Sequence, residues 1–64
     1  MPKIRRGNYV FVAWTADHPP RHVHVYRGRR LIVKWDLESW RPIKGAASAR
    51  IEALIRILIN EGRL

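Results

Sequence analysis

His22-Val23-His24-Val25-Tyr26, then Arg27-Gly28-Arg29, then Arg30-Leu31-Ile32-Val33-Lys34-Trp35-Asp36 reads as a β-hairpin, and its register decides the fold. Strand side chains alternate between faces, so His22, His24 and Tyr26 share one side and Val23 and Val25 the other. On the returning run, alternation groups Leu31, Val33 and Trp35 against Arg30, Ile32, Lys34 and Asp36. Two registers compete. A two-residue Gly28-Arg29 turn of type II′ suits glycine and pairs Val25 with Ile32 and His24 with Val33. A three-residue loop pairs Val25 with Val33, His24 with Lys34 and His22 with Asp36. The second collects one apolar face, and a buried face usually dictates register, so it is the one expected.

Upstream, Tyr9-Val10-Phe11-Val12-Ala13-Trp14 is β-prone and apolar on both faces, as a central strand would be. Lys3 to Arg6 is a short strand ended by the turn dipeptide Gly7-Asn8. Thr15 to Arg21 is a loop stiffened by Pro19 and Pro20. Downstream, Leu37 to Pro42 reads as a connection, with Ile43 as an anchor and Trp40 as the tryptophan expected to be exposed. Ile51, Leu54, Ile55, Leu58 and Ile59 follow the spacing of an amphipathic helix. Ser48 or a residue just before it is the expected N-cap and Gly62 the stop, with Arg50 and Arg56 facing outward. The expected architecture is α+β: an antiparallel sheet of three to four strands with one C-terminal helix packed on one face, a single domain over residues 1–64.

The 64-residue chain carries thirteen Lys and Arg against five Asp and Glu, a formal net charge of +8. Ten of the cations are arginine, whose planar fork suits phosphate and carboxylate. Such a basic small domain points to a nucleic-acid or acidic protein partner. With no cysteine, disulfides cannot supplement a small core, and a reducing cytoplasm is the expected compartment. A protein partner or a homodimer could supply the missing stability. No segment has the length or apolarity of a membrane span or signal peptide.

Two constellations could carry chemistry. The first is His18-Pro19-Pro20-Arg21-His22-Val23-His24. Histidines two apart on a strand project side by side, as in many metal sites, and His18 or Asp17 could add a ligand. Few acids are available to orient the rings, and the surrounding positive charge opposes a divalent cation, so neither metal nor cofactor is expected. Metal-free acid–base cleavage of RNA is the catalytic alternative. In it, His22, His24 and His18 would move protons, and Arg21 would stabilise charge developing on phosphorus. The second constellation is a basic collar. Lys3, Arg5, Arg6, Arg21, Arg27, Arg29, Arg30, Lys34 and Arg41 interleave with Tyr26, Trp35 and Trp40, as on an RNA or single-strand platform. The nucleic-acid contacts expected from it are Arg5, Arg6, Tyr26, Arg27, Arg29, Arg30, Lys34 and Arg41. Trp14 and Trp35 read equally well as core.

Met1-Pro2-Lys3-Ile4, Asp17-His18-Pro19-Pro20 running into His22-Val23-His24-Val25, and Val33-Lys34-Trp35-Asp36-Leu37-Glu38 together resemble a small prokaryotic family, domain of unknown function 4160. Many of its members place the first histidine directly after the paired prolines, where Arg21 intervenes here. The resemblance implies the toxin component of a toxin–antitoxin pair. The cognate antitoxin would be a protein of the domain of unknown function 2442 type. The family brings no catalytic motif with it. Charge, paired histidines and resemblance together make the expected function a basic toxin module that acts on RNA or the translation machinery. A non-catalytic nucleic-acid- or protein-binding module is the alternative.

Overall fold

The structure, a computed structural model, describes residues 3–13 and 21–64. Five strands form one antiparallel sheet in chain order: β1 (Lys3–Arg6), β2 (Tyr9–Ala13), β3 (His22–Arg27), β4 (Arg30–Asp36) and β5 (Arg41–Gly45). One helix, α1 (Ala49–Asn60), follows. The α+β expectation holds, with a larger sheet than the three to four strands expected. Trp14 and the loop bearing His18 and the paired prolines lie outside the described residues.

The core forms where one sheet face meets one helix stripe. Phe11, Val23, Val25, Val33 and Trp35 cluster with Ile51, Ile55 and Leu58, all buried. Truncating one such side chain costs about 2–5 kcal/mol, against a total stability of about 3–10 kcal/mol for a chain of this length. Ile59 falls off the stripe at 38% exposure, because eight residues of helix rotate it about 80° from Ile51. Ser48 caps the helix, its Oγ accepting from the Ile51 amide at 3.2 Å. At the other end Arg63 N donates to Leu58 O at 2.8 Å and Gly62 N to Ile59 O at 2.9 Å. With Gly62 at φ +76°, this is a Schellman termination.

The two hairpin readings are reconciled by a bulge. At the tip, Arg27 pairs with Arg30 and Tyr26 with Leu31, so the turn is the two residues Gly28-Arg29. Gly28 has φ +63° and Arg29 does not share it, as a type II′ turn requires. The register then shifts, and Val25 pairs with Val33, His24 with Lys34 and His22 with Asp36. Ile32 is the extra residue. It packs against the core, while Leu31, expected to lie beside Val33, is left 36% exposed. One additional residue on β4 thus satisfies both the glycine turn and the apolar face.

β5 carries no period-2 apolar signal, and Pro42 argues against a central strand. An edge position tolerates proline, and there Arg41-Pro42-Ile43-Lys44-Gly45 pairs with β4 around a second register shift. Ile43 is consequently no anchor: it is 46% exposed. Gly45 closes the strand at φ +79°, directly over β4. A Cβ there would collide with the Ile32 carbonyl oxygen and stand 3.2 Å from Val33 Cα. Gly45→Ala is therefore expected to lower the unfolding free energy in urea by more than about 2 kcal/mol. Gly28→Ala, strained in φ but meeting open space, should cost about 1 kcal/mol. Equal losses at the two sites would show that the Gly45–Ile32 approach does not constrain the sheet.

Candidate nucleic-acid interface

Among the described residues the helix covers one face of the sheet and no element covers the other, called the open face below, and the register states what stands on it. One row crosses all five strands: Lys3, Val12, His24, Lys34 and Lys44. A second row carries Arg5, Val10, Tyr26 and Leu31. A third joins His22, Asp36 and Arg41. Strict alternation along β3 sends Val23 and Val25 into the core and His22, His24 and Tyr26 to this open face.

The three rings form a line. His22 and His24 meet edge to face with centroids 5.3 Å apart. His24 and Tyr26 lie nearly parallel at 6.4 Å. Each is half-buried, with an accessible part left for a ligand. Val12 lies between Lys3 and His24 and is only 7% exposed, although it is not part of the helix-side core. The open face is thus a shallow apolar and aromatic strip flanked by cations, suited to stacked bases with phosphates alongside.

The β4–β5 turn fixes one end of this surface. Asp36 Oδ1 accepts from the Glu38 and Ser39 amides at 2.8 and 3.1 Å. The Ser39 side chain, these amides and the positive charge of Arg41 hold the Asp36 carboxyl below its ordinary 3.8. Its carboxylate is therefore engaged by the turn rather than offered as a catalytic base. Glu38 Oε2 accepts from the Arg21 amide at 2.7 Å, and Arg21 O accepts from Leu37 N at 2.9 Å. The Arg21 main chain is clamped against this turn, leading straight into His22, with its side chain exposed.

The sequence-expected contacts divide into groups. Arg5, Tyr26, Lys34 and Arg41 stand on the open face together with His22 and His24. Arg27, Arg29 and Arg30 are exposed at the β3–β4 turn. Arg6 belongs elsewhere: it shares the helix face and forms a two-pronged contact with Glu61, at 2.9 and 3.2 Å. Period 2 separates it from Arg5, a distinction that the Arg5-Arg6 run concealed. His18 lies outside the described residues. Lys44 was missed, because β5 itself carried no strand signal. Trp40 was expected to be exposed, but it is half-buried, edge-on to Trp35 at 5.3 Å, with the Arg56 guanidinium 4.3 Å above its ring. Its φ of +59° turns the indole back onto the helix side. Among the described residues, no three His, Asp or Glu gather as a metal site would need, and no helix is long and apolar enough to cross a membrane.

Glu61, like Asp36, is held below its ordinary value of 4.5, chiefly by Arg6. A depressed folded-state pKa contributes stability that is present above the unfolded value and is lost as pH falls through the folded one. The urea midpoint should therefore decline below about pH 5, and Asp36→Ala should make that decline shallower. An unchanged acid profile in the variant would mean that the turn does not draw on the Asp36 charge.

Comparisons with protein-family models, curated proteins and solved structures return no match to this chain.

Proposed function

We propose that the chain is a nucleic-acid-binding module, with RNA the favoured ligand and the open sheet face the contact surface. The observation that carries this reading is the row Lys3–Val12–His24–Lys34–Lys44, flanked by Tyr26, Arg5 and Arg41. Its cations follow a strip of rings, so phosphates and bases can be engaged at once. The described acids sit away from the row's centre: Asp36 and Glu38 at the β4–β5 turn, Glu52 and Glu61 with the helix. The resemblance drawn from the sequence gives this module a biological setting. In it the chain is the toxin component of a two-gene pair, acting on RNA or the translation machinery in the cytoplasm. A cognate antitoxin of the domain of unknown function 2442 type would neutralise it by covering the basic face.

A second reading rests on the contact between His22 and His24 beside Lys34. Two imidazoles at this spacing can exchange protons with a ribose hydroxyl and a leaving oxygen, a metal-free ribonuclease-like activity. Substitutions separate the readings. Lys34→Ala with Lys44→Ala should weaken binding to single-stranded RNA and reduce the slope of log affinity against log salt by about 1.4, two contacts at about 0.7 each. His22→Ala with His24→Ala should leave that slope unchanged and, on the catalytic reading alone, abolish both RNA cleavage and growth arrest after induced expression. If the purified protein binds no RNA at low salt and its expression leaves growth unaffected, both readings fail.

A further inference from the structure

The β1–β2 and β3–β4 turns lie at the same end of the sheet, and a cleft opens between them. It measures about 540 Å³ and is lined by Arg5, Gly7, Asn8, Tyr9, Val10, Arg27 and Gly28. The two turns are alike: each places a glycine first, Gly7 at φ +62° and Gly28 at φ +63°. Such turns leave main-chain amides available at their tips, and amides gathered in a concavity favour anions.

The charge of the cleft is of one sign. Neither Arg5 nor Arg27 forms an ion pair among the described residues, whereas the adjacent Arg6 is held by Glu61. No acidic side chain lines the cleft. Asp36 and Glu38 occupy the turn at the other end of the sheet, and Glu61 is engaged by Arg6 and Arg63. An Arg50 nitrogen stands 3.5 Å from where a Cβ on Gly7 would lie, and exposed Arg29 and Arg30 follow Gly28. The cleft is therefore lined by two arginines, Arg5 and Arg27, without a counter-charge among its lining residues. Arginine pairs with phosphate oxygens through two parallel N–H bonds.

We propose that this cleft is a phosphate pocket that takes the terminal phosphate of a nucleic-acid strand lying on the open face. The assignment to a strand end rests on the nucleic-acid reading above. Two features support it. Arg5 and Val10 belong both to the cleft and to the open-face row that contains Tyr26, so one strand can run from ring to pocket. The volume also falls within the range of small-molecule sites, about 300–1,000 Å³, leaving room for a sugar or base beside Tyr9 and Val10. A terminal phosphomonoester carries more charge than an internal diester, so the pocket distinguishes a strand end from its middle.

The test uses the full chain and one short single-stranded RNA prepared with a 5′-phosphate, a 3′-phosphate or hydroxyls at both ends. Affinity is read by fluorescence anisotropy at fixed salt. One of the phosphorylated forms is expected to bind about tenfold or more tightly than the hydroxyl form. Arg5→Gln with Arg27→Gln should erase that preference, and Lys34→Ala with Lys44→Ala should weaken all three forms while keeping it. Equal affinity of the three RNAs for the wild type overturns the strand-end assignment. A parallel titration with inorganic phosphate, following the Gly7 and Gly28 amides by NMR, tests the pocket without RNA. Saturable shifts that are lost in the Arg5→Gln, Arg27→Gln variant uphold the phosphate pocket; if they occur in a protein that binds none of the three RNAs, the pocket stands and the nucleic-acid reading is overturned. Absence of shifts together with equal RNA affinities overturns the pocket. Arg5, Arg27 and Lys44 are exposed and Lys34 is half-buried, and circular dichroism verifies the folding of both variants.

Discussion

Everything in this fold depends on a single apolar contact, the stripe Ile51, Ile55 and Leu58 laid against Phe11, Val23, Val25, Val33 and Trp35. Among the described residues there is no second core, and the chain has no cysteine to tie it. Losing any one of these side chains removes an energy comparable with the net stability of the whole. The sheet must therefore present these five residues on one side at almost any local cost. The bulge at Ile32, the positive φ at Trp40 and the glycine-only approach at Gly45 are local departures from ideal geometry that accompany that requirement.

The polar face follows from the same contact. Because period 2 is strict along β3, burying Val23 and Val25 sends His22, His24 and Tyr26 the other way. Because β4 keeps Val33 and Trp35 inward, Lys34 and Asp36 stand opposite His24 and His22. The line of rings and cations is thus the complement of the core pattern. A one-residue slip of β4 would bury Lys34 and expose Trp35, so packing energy protects this polar face from register error.

This dependence also explains what could be read from the residues. The hairpin pairs, the helix and both of its ends were legible because each rests on periodicity or on a terminal residue with a defined role, Ser48 and Gly62. The apolar-face argument selected the correct pairs over most of the hairpin. The turn argument was correct at its tip, and neither foresaw that a bulge would let both hold. β5 was illegible because an edge strand needs only backbone partners. Arg41 to Gly45 is exposed throughout, so no burial pattern was imposed on its side chains. Lys44, the last member of the basic row, remained hidden with it. Arg6 and Trp40 were misjudged for a different reason, since Glu61 and Arg56, which engage them, arrive from a distant helix.

Charge placement argues that the basic surface is more than a solubility device. A domain that needed only net charge could scatter its cations and neutralise any of them. Here the described carboxylates are used selectively. Glu61 takes Arg6, on the helix face, while Asp36 and Glu38 turn their oxygens to main-chain amides. Neither these three nor Glu52 is ion-paired with Lys3, Arg5, Lys34 or Lys44 among the described residues, whereas Arg41 stands beside the Asp36 carboxylate on the same face. Like charges held side by side repel one another and cost stability, and a small core leaves little to spare. An arrangement that accepts this repulsion on one face, while pairing a cation on the other, is the one expected where an anionic ligand restores the balance on binding.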